Sequence, residues 1–223
     1  MALFRNAVYA ASVANPDEAW PGSVAEIAFA GRSNAGKSSA INTLADRRRL
    51  AFVSKTPGRT QLINFFALGG ERFIVDLPGY GYAAAPREVR SRWDRLIGSY
   101  LMQREPLKGL ALIMDIRHPI TELDLQLLEF VRPTGRPVHV LLTKADKLSS
   151  TAARAALQSV GASLTQLSPL YSVQLFSSLK RLGVDEADEV FARWLGIALE
   201  PAKNKGPGKL PGAGNKKPRA KGG

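Results

Sequence analysis

Three short stretches combine residue types suited to holding a phosphorylated ligand. Gly31, Arg32, Ser33, Asn34, Ala35, Gly36, Lys37 and Ser38 follow the pattern G-x-x-x-x-G-K-[ST]. Its two glycines let the backbone curl so that successive N–H groups, with the positive end of a following helix, converge on a β-phosphate. Lys37 then stands between the β- and γ-phosphates, and the Ser38 hydroxyl becomes a Mg²⁺ ligand. Further on, Asp76, Leu77, Pro78 and Gly79 form D-x-x-G at the end of an apolar run. The Asp76 carboxylate can hold a Mg²⁺-bound water while the Gly79 N–H meets the γ-phosphate, whose loss would release the loop. Between the two lies Ser54 to Gln61, with Thr60 assigned as the second Mg²⁺ ligand and Thr56 as its alternative. Lys37, Thr60 and Gly79 are thus the expected catalytic groups.

The third stretch concerns the base. Thr143, Lys144, Ala145 and Asp146 match [NT]-K-x-D. A carboxylate at Asp146 accepts two hydrogen bonds from the N1–H and 2-amino group of guanine; adenine offers it a bare acceptor and no amino group. Leaving such a buried acceptor unmatched costs about 1 to 3 kcal/mol. The Lys144 stem can cover one face of the ring, and Phe176, Ser177 and Ser178 can bring a backbone N–H to the guanine carbonyl. The expected ligands are therefore GTP and GDP with Mg²⁺.

Two further positions bear on hydrolysis. Tyr80 occupies the place directly after D-x-x-G, where many GTPases carry a glutamine that orients the attacking water. A phenol cannot present an amide's carbonyl and N–H, so slow intrinsic turnover of about 10⁻⁴ to 10⁻² s⁻¹ is expected. Asn34 resembles the asparagine that holds K⁺ in related GTPases, or else only braces the loop. His118 and His139 have no companions at metal-ligand spacing and read as structural. Trp93 and Trp194 fall on apolar stripes and read as core.

The elements that must position these residues alternate along the chain. Strands are predicted at Val24 to Ala30, Leu62 to Leu68, Phe73 to Leu77, Leu110 to Asp115, Val138 to Thr143 and Leu170 to Phe176. Most are continuous apolar runs, as in strands covered on both faces. Helices are predicted at Lys37 to Ala45, Pro86 to Gln103, Glu122 to Val131, Thr151 to Gly161 and Asp185 to Leu195. This order implies an α/β fold with a mostly parallel sheet and helices on both faces. Ligands of such sheets bind beyond the carboxyl ends of the strands, where the three motifs fall.

Composition sets the remaining limits. At 223 residues the chain has room for one sizeable core. Without cysteine it has no thiolate chemistry, which fits a reducing, cytoplasmic setting. No secretory leader or membrane span is expected. Of the net charge of +12, the stretch from Pro201 to Gly223 supplies seven cations and no acid. Rich in Gly and Pro and poor in large apolar groups, it reads as a disordered arm that meets a polyanion such as RNA, or that only solubilises. Arg47, Arg48 and Arg49, with Lys55 and Arg59, form either an RNA-facing patch or a solvated charge run. The division is residues 1–22 as an N-terminal segment, 23–199 as the domain and 200–223 as the basic tail.

The phrases Gly31 to Ser39, Thr56 to Gln61, Asp76 to Tyr82, Asp115-Ile-Arg-His-Pro119 and Thr143 to Asp146 resemble the TRAFAC GTPases, and more closely the EngB (YihA/YsxC) family of bacterial ribosome-assembly GTPases. The resemblance spans Gly22 to Leu199. It implies a P-loop NTPase G domain, slow GTP hydrolysis, a role in maturation of the large ribosomal subunit through rRNA and ribosomal proteins, and a link to division septation. It also implies Mg²⁺ ligands at Ser38 and Thr60. Nucleotide contacts would come from Gly31 to Ser38, from Gly58, Arg59, Thr60, Gln61 and Leu62, from Asp76 to Gly79, from Thr143 to Asp146 and from Phe176 to Ser178. A monomer is expected. Two other classes compete: an ATP-dependent kinase or ATPase, opposed by Asp146 and the absence of spare sequence for an acceptor domain, and a nucleic-acid-binding module whose nucleotide is structural.

Overall fold

A computed structural model of the chain describes residues 3–51, 62–81 and 87–198, with backbone alone at 87–94. Seven strands form one sheet in the order β1-β3-β4-β2-β5-β6-β7. They are β1 (Val8–Val13), β2 (Ala25–Gly31), β3 (Ile63–Gly69), β4 (Arg72–Asp76), β5 (Leu107–Asp115), β6 (Val138–Thr143) and β7 (Tyr171–Leu175). From β4 to β7 all pairings are parallel, while β3 runs antiparallel to both β1 and β4. The chain is an α/β P-loop NTPase G domain.

Helices α1 (Lys37–Leu44) and α5 (Val184–Leu195) cover one face of the sheet. On the other lie α2 (Arg87–Gln103), α3 (Glu122–Val131) and α4 (Ser150–Leu167). Every residue of β2 is buried, as its apolar run requires of a central strand packed on both faces. Glu26 is the polar exception. Its carboxylate accepts hydrogen bonds from the Tyr100 hydroxyl at 2.8 Å and from the Arg104 guanidinium, which satisfies a charge that could not otherwise be buried.

The register aligns the carboxyl ends of the strands. Phe29 lies opposite Asp76, Gly31 opposite Ile113, and Asp115 opposite Thr143. Gly31, Asp76, Asp115 and Thr143 therefore share one rim. Helix ends facing that rim are defined locally. Thr121 caps α3 in a reciprocal box with Asp124, and Ser149 caps α4 by accepting the Ala152 N–H at 3.2 Å.

Segment 1–22, set apart in the sequence reading, contributes to this sheet. Its strand β1 pairs with β3, and Phe4 is buried against Phe191 and Phe29 with ring centroids 5.9 and 6.0 Å away. The helix predicted to end at Gly161 continues to Leu167. A Cβ at Gly161 would stand 3.6 Å from Val173, an ordinary contact, so the position does not require glycine and the helix runs through it. The tail 200–223 lies outside the described residues.

Candidate functional site

The phosphate loop leaves β2 at Gly31 and enters α1 at Lys37. Gly31 has no room for a side chain, since a Cβ there would lie 2.8 Å from the Ile113 carbonyl oxygen. Asn34 at φ 64° and Gly36 at φ 102° take left-handed backbone, which curls the loop. No side chain caps α1 and no acid sits in its first turn, so its N–H groups and dipole remain directed at an anion.

The loop is held from behind by the base-recognition turn. The Thr143 hydroxyl lies 2.5 Å from the Ala35 carbonyl and 3.0 Å from that of Met114. Lys144, itself at φ 59°, donates from Nζ to the Asn34 carbonyl at 2.8 Å and to Asp115 Oδ2 at 2.8 Å. Arg117 donates to the same carboxylate through its backbone N–H, Nε and Nη2. These bonds, Arg117 first, hold the Asp115 carboxyl well below the usual carboxylate range.

On the phosphate side, Asp76 pairs with the Lys37 ammonium. The loop after Asp76 lies against the phosphate loop: the Leu77 N–H donates to the Phe29 carbonyl at 3.0 Å, that of Tyr80 to Gly31 at 3.3 Å, and that of Ser33 to Tyr80 at 3.1 Å. Gly79 also borders the phosphate loop, where a Cβ would meet the Gly31 oxygen at 3.5 Å. Arg32, Ser33, Asn34, Gly36, Lys37, Ser38, Leu62, Asp76, Leu77, Pro78, Gly79 and Lys144 line one cleft of about 680 Å³. Its phosphate end offers hydroxyl and carboxylate oxygens, Ser38 and Asp76, which suit a hard divalent cation such as Mg²⁺. Among the described residues no three His, Cys, Asp or Glu cluster as a metal site, so that cation would also draw on phosphate and water oxygens.

On the base side, the Ala145 N–H donates to the Phe176 carbonyl at 3.1 Å, which sets the turn against the end of β7. Asp146 is aimed by Ser177, whose hydroxyl donates to Oδ1 at 2.5 Å and accepts the Lys180 N–H at 3.1 Å. The Ser177 bond lowers the Asp146 pKa, keeping the side chain a pure acceptor at neutral pH. The Ser177 N–H, one candidate for the guanine carbonyl, instead donates to Leu182 at 3.1 Å.

The structure thus brings together the expected residues at 31–38, 76–79, 143–146 and 176–178, with Leu62 beside them. Gly58, Arg59, Thr60 and Gln61, the alternative Thr56, Lys55 and Tyr82 lie outside the described residues, as does the Trp93 side chain. His139 is buried in the sheet with Nδ1 at 2.8 Å from Ser172 and Nε2 at 2.8 Å from Gln174, and burial lowers its pKa. Trp194 is half-buried against the α1/α5 face. Two contributors were not assigned from the sequence. In the sequence Asp115 stands only within a phrase that resembles the EngB family, although a carboxylate at the carboxyl end of a parallel strand is itself a signal. Asp124 accepts the Tyr80 hydroxyl at 2.6 Å.

That last contact places the side chain following D-x-x-G inside the protein, with its phenol held neutral by burial and by Asp124. A loop-to-rim arrangement of this kind, with a lysine and hydroxyl at one end and an oriented carboxylate at the other, defines a P-loop GTPase. A family model described as 50S ribosome-binding GTPase matches residues 26–144. The chain is 59% identical over 209 residues to the probable GTP-binding protein EngB of Dechloromonas aromatica (strain RCB), covering 93% of this chain and 95% of that relative. It is 60% identical over 196 residues to that of Azoarcus sp. (strain BH72), covering 87% and 94%. Among solved structures, a probable GTP-binding protein EngB superposes with TM-score 0.61 at 22% identity over 77% of this chain and 99% of the other. A single-site variant of Aquifex aeolicus Era bound to GDP and AlF4⁻ gives TM-score 0.61 at 19% identity, covering 85% and 62%. The chain belongs to the EngB family of GTP-binding proteins.

Tyr80→Phe is expected to leave Asp124 Oδ1 short of its donor and lower stability by about 1 to 3 kcal/mol in thermal or urea unfolding. Single-turnover GTP hydrolysis should stay within about twofold, because the phenol faces away from the cleft; a loss of about tenfold or more would place it in the reaction.

Proposed function

We propose that the protein is a slow GTPase switch that acts in assembly of the large ribosomal subunit in the cytoplasm, as a monomer, with a link to division septation. The observation that carries this reading is the convergence of the phosphate loop, the Asp76–Gly79 loop and the Thr143–Asp146 turn on one rim. Support also comes from membership of a family whose model is described as ribosome-binding.

In this reading the phosphate-loop amides and the Lys37 ammonium bind the β- and γ-phosphates and offset charge that grows in the transition state. Ser38 and Thr60 would hold Mg²⁺, which when bound would neutralise phosphate charge. Gly79 contacts the γ-phosphate through its N–H, so its loop reports whether that phosphate is present. Asp146 selects guanine. Tyr80 is anchored on Asp124 and contributes no water-orienting amide, hence the slow rate. Asn34 would hold K⁺.

RNA contact is assigned to exposed arginines near the end of α1 and to the tail. Arg48 and Arg49 are exposed, Arg47 donates to the Ala7 carbonyl at 2.6 Å, and Arg5 and Arg181 meet on Asp46 at 3.4 and 3.1 Å. This gathers cations from three separate segments, a surface suited to phosphodiesters and sensitive to salt. Among the described residues no helix is long and apolar enough to cross a membrane.

Sedimentation tests the partner: the GTP-loaded protein should pellet with large ribosomal subunits and the GDP-loaded protein should not. Equal pelleting in both states, or none in either, removes the switch reading. In calorimetry, Asp146→Asn should weaken GTP by about 10² to 10⁴-fold and turn preference toward xanthosine triphosphate, whose 2-carbonyl complements the new amide. Unchanged guanine preference takes Asp146 out of the base site. Turnover should be faster in K⁺ than in Na⁺ buffer; equal rates leave Asn34 as a brace only.

A further inference from the structure

We propose that Asp115 is a positioning residue of the nucleotide site, fixing the Lys144 ammonium on the Asn34 carbonyl and so locking the base-recognition turn to the phosphate loop. The proposal rests on the reading of Thr143–Asp146 as the base-recognition turn.

Lysine carries its charge on a flexible four-carbon stem, and a stem that lies along a base must first be ordered. Here the ordering is built in. Asp115 ends β5 directly opposite Thr143 on β6, so its carboxylate is delivered by the sheet to the root of the turn. Lys144 Nζ makes two bonds at 2.8 Å, one to Asp115 Oδ2 and one to the Asn34 carbonyl. Both residues that meet there, Lys144 and Asn34, take left-handed backbone without being glycine, a conformation that persists only when its surroundings hold it. Arg117 holds the carboxylate in turn: its N–H and Nε meet Oδ1 at 3.0 Å each, and Nη2 meets Oδ2 at 2.6 Å. The Asp115 side chain is 15% exposed and that of Lys144 31%, so solvent screens this pair only in part.

Asp115 acts through Lys144 and touches neither phosphate nor the reacting atoms. Pre-ordering of this kind lowers the entropy lost on binding and leaves the chemical step alone. Its loss should therefore weaken GTP and GDP equally, because both carry the same base and the same β-phosphate.

The test uses the full chain, with Kd for GTP and GDP from calorimetry and the saturating single-turnover rate from rapid quench. Asp115→Asn should raise both Kd values by about tenfold, since the amide oxygen still accepts from Lys144 but the charge that strengthens the bond is lost, while the saturating rate holds. Lys144→Met should raise both Kd values similarly, and the double variant should bind no worse than the weaker single variant. Arg117→Ala, which spares the Asp115–Lys144 contact, should change Kd by less than about threefold. Asp115→Glu, keeping the charge, should recover part of the lost affinity. Unchanged Kd values in Asp115→Asn, or factors that multiply in the double variant, overturn the proposal. So does an Arg117→Ala loss equal to that of Asp115→Asn when Lys144→Met binds normally, which would make the carboxylate a partner of Arg117 alone. If Asp146→Asn left base preference intact, the base-site reading and this proposal would fall together. If it switched preference while Asp115→Asn had no effect, only this proposal would fall.

Discussion

The carbonyl of Ala35 accepts the Thr143 hydroxyl, and that of Asn34 accepts the Lys144 ammonium. The shape of the phosphate loop depends on these two bonds. A loop that passes through left-handed backbone at Asn34 and Gly36 has little regular hydrogen bonding of its own, and its apolar anchor is the buried Ala35. Its amides can converge on an anion only if its carbonyls are satisfied elsewhere. Strand β6, two places away in the sheet, provides that from behind. The Thr143–Asp146 turn thus serves two ends: in the proposed site Asp146 receives the base, while Thr143 and Lys144 hold the 31–38 loop in shape.

The same economy governs the loop after β4. Asp76 pairs with Lys37, and the backbone from Leu77 to Tyr80 hydrogen-bonds to β2 and the phosphate loop. Tyr80 then turns into the core to reach Asp124, which also closes the capping box at the start of α3. A displacement at Gly79 therefore has a mechanical connection to α3 through one phenol–carboxylate bond. Using the residue for anchorage removes it from the water-orienting role, so transmission and rapid hydrolysis compete for the same position. In the proposed switch, that competition would slow turnover.

The parts of the protein legible in the sequence are those encoded by contiguous residues. The motif stretches at 31–38, 76–79 and 143–146 could be assigned because each is a single turn following an apolar strand, and β6 was placed to the residue. Strand β1 was missed because Val8–Val13 is an edge strand with a mostly exposed pattern and small residues, so it lacks the apolar run of its neighbours. β5 begins at Leu107, three residues before its predicted start, since Lys108 and Gly109 interrupt the pattern. Gly109 is there for a tertiary reason: a Cβ would fall 2.5 Å from the Trp194 ring. Contacts such as Lys144 with Asp115 and Tyr80 with Asp124 join residues 29 and 44 positions apart. Only the strand order and helix placement bring them together, and no local spacing announces them.

Strand order also explains how one site can grip both ends of a nucleotide. The phosphate-facing loops leave β4 and β2, the base-facing turns leave β6 and β7, and β5 lies between them carrying Asp115. Five parallel neighbours with a shared register behave as one packed unit, so the span between Lys37 and Asp146 is set by strand spacing and not by the loops themselves. Ser177 fixes the direction of Asp146, and Thr143 fixes the curl around Gly36, whose hypothetical Cβ would sit 3.5 Å from the Thr143 hydroxyl. In the proposed function, selectivity for guanine would follow from a rigid acceptor at a fixed distance from a rigid anion cradle. A purine lacking the matching donors would reach the same place and leave the carboxylate unmatched, a cost that the phosphate contacts, equal for both purines, cannot offset selectively.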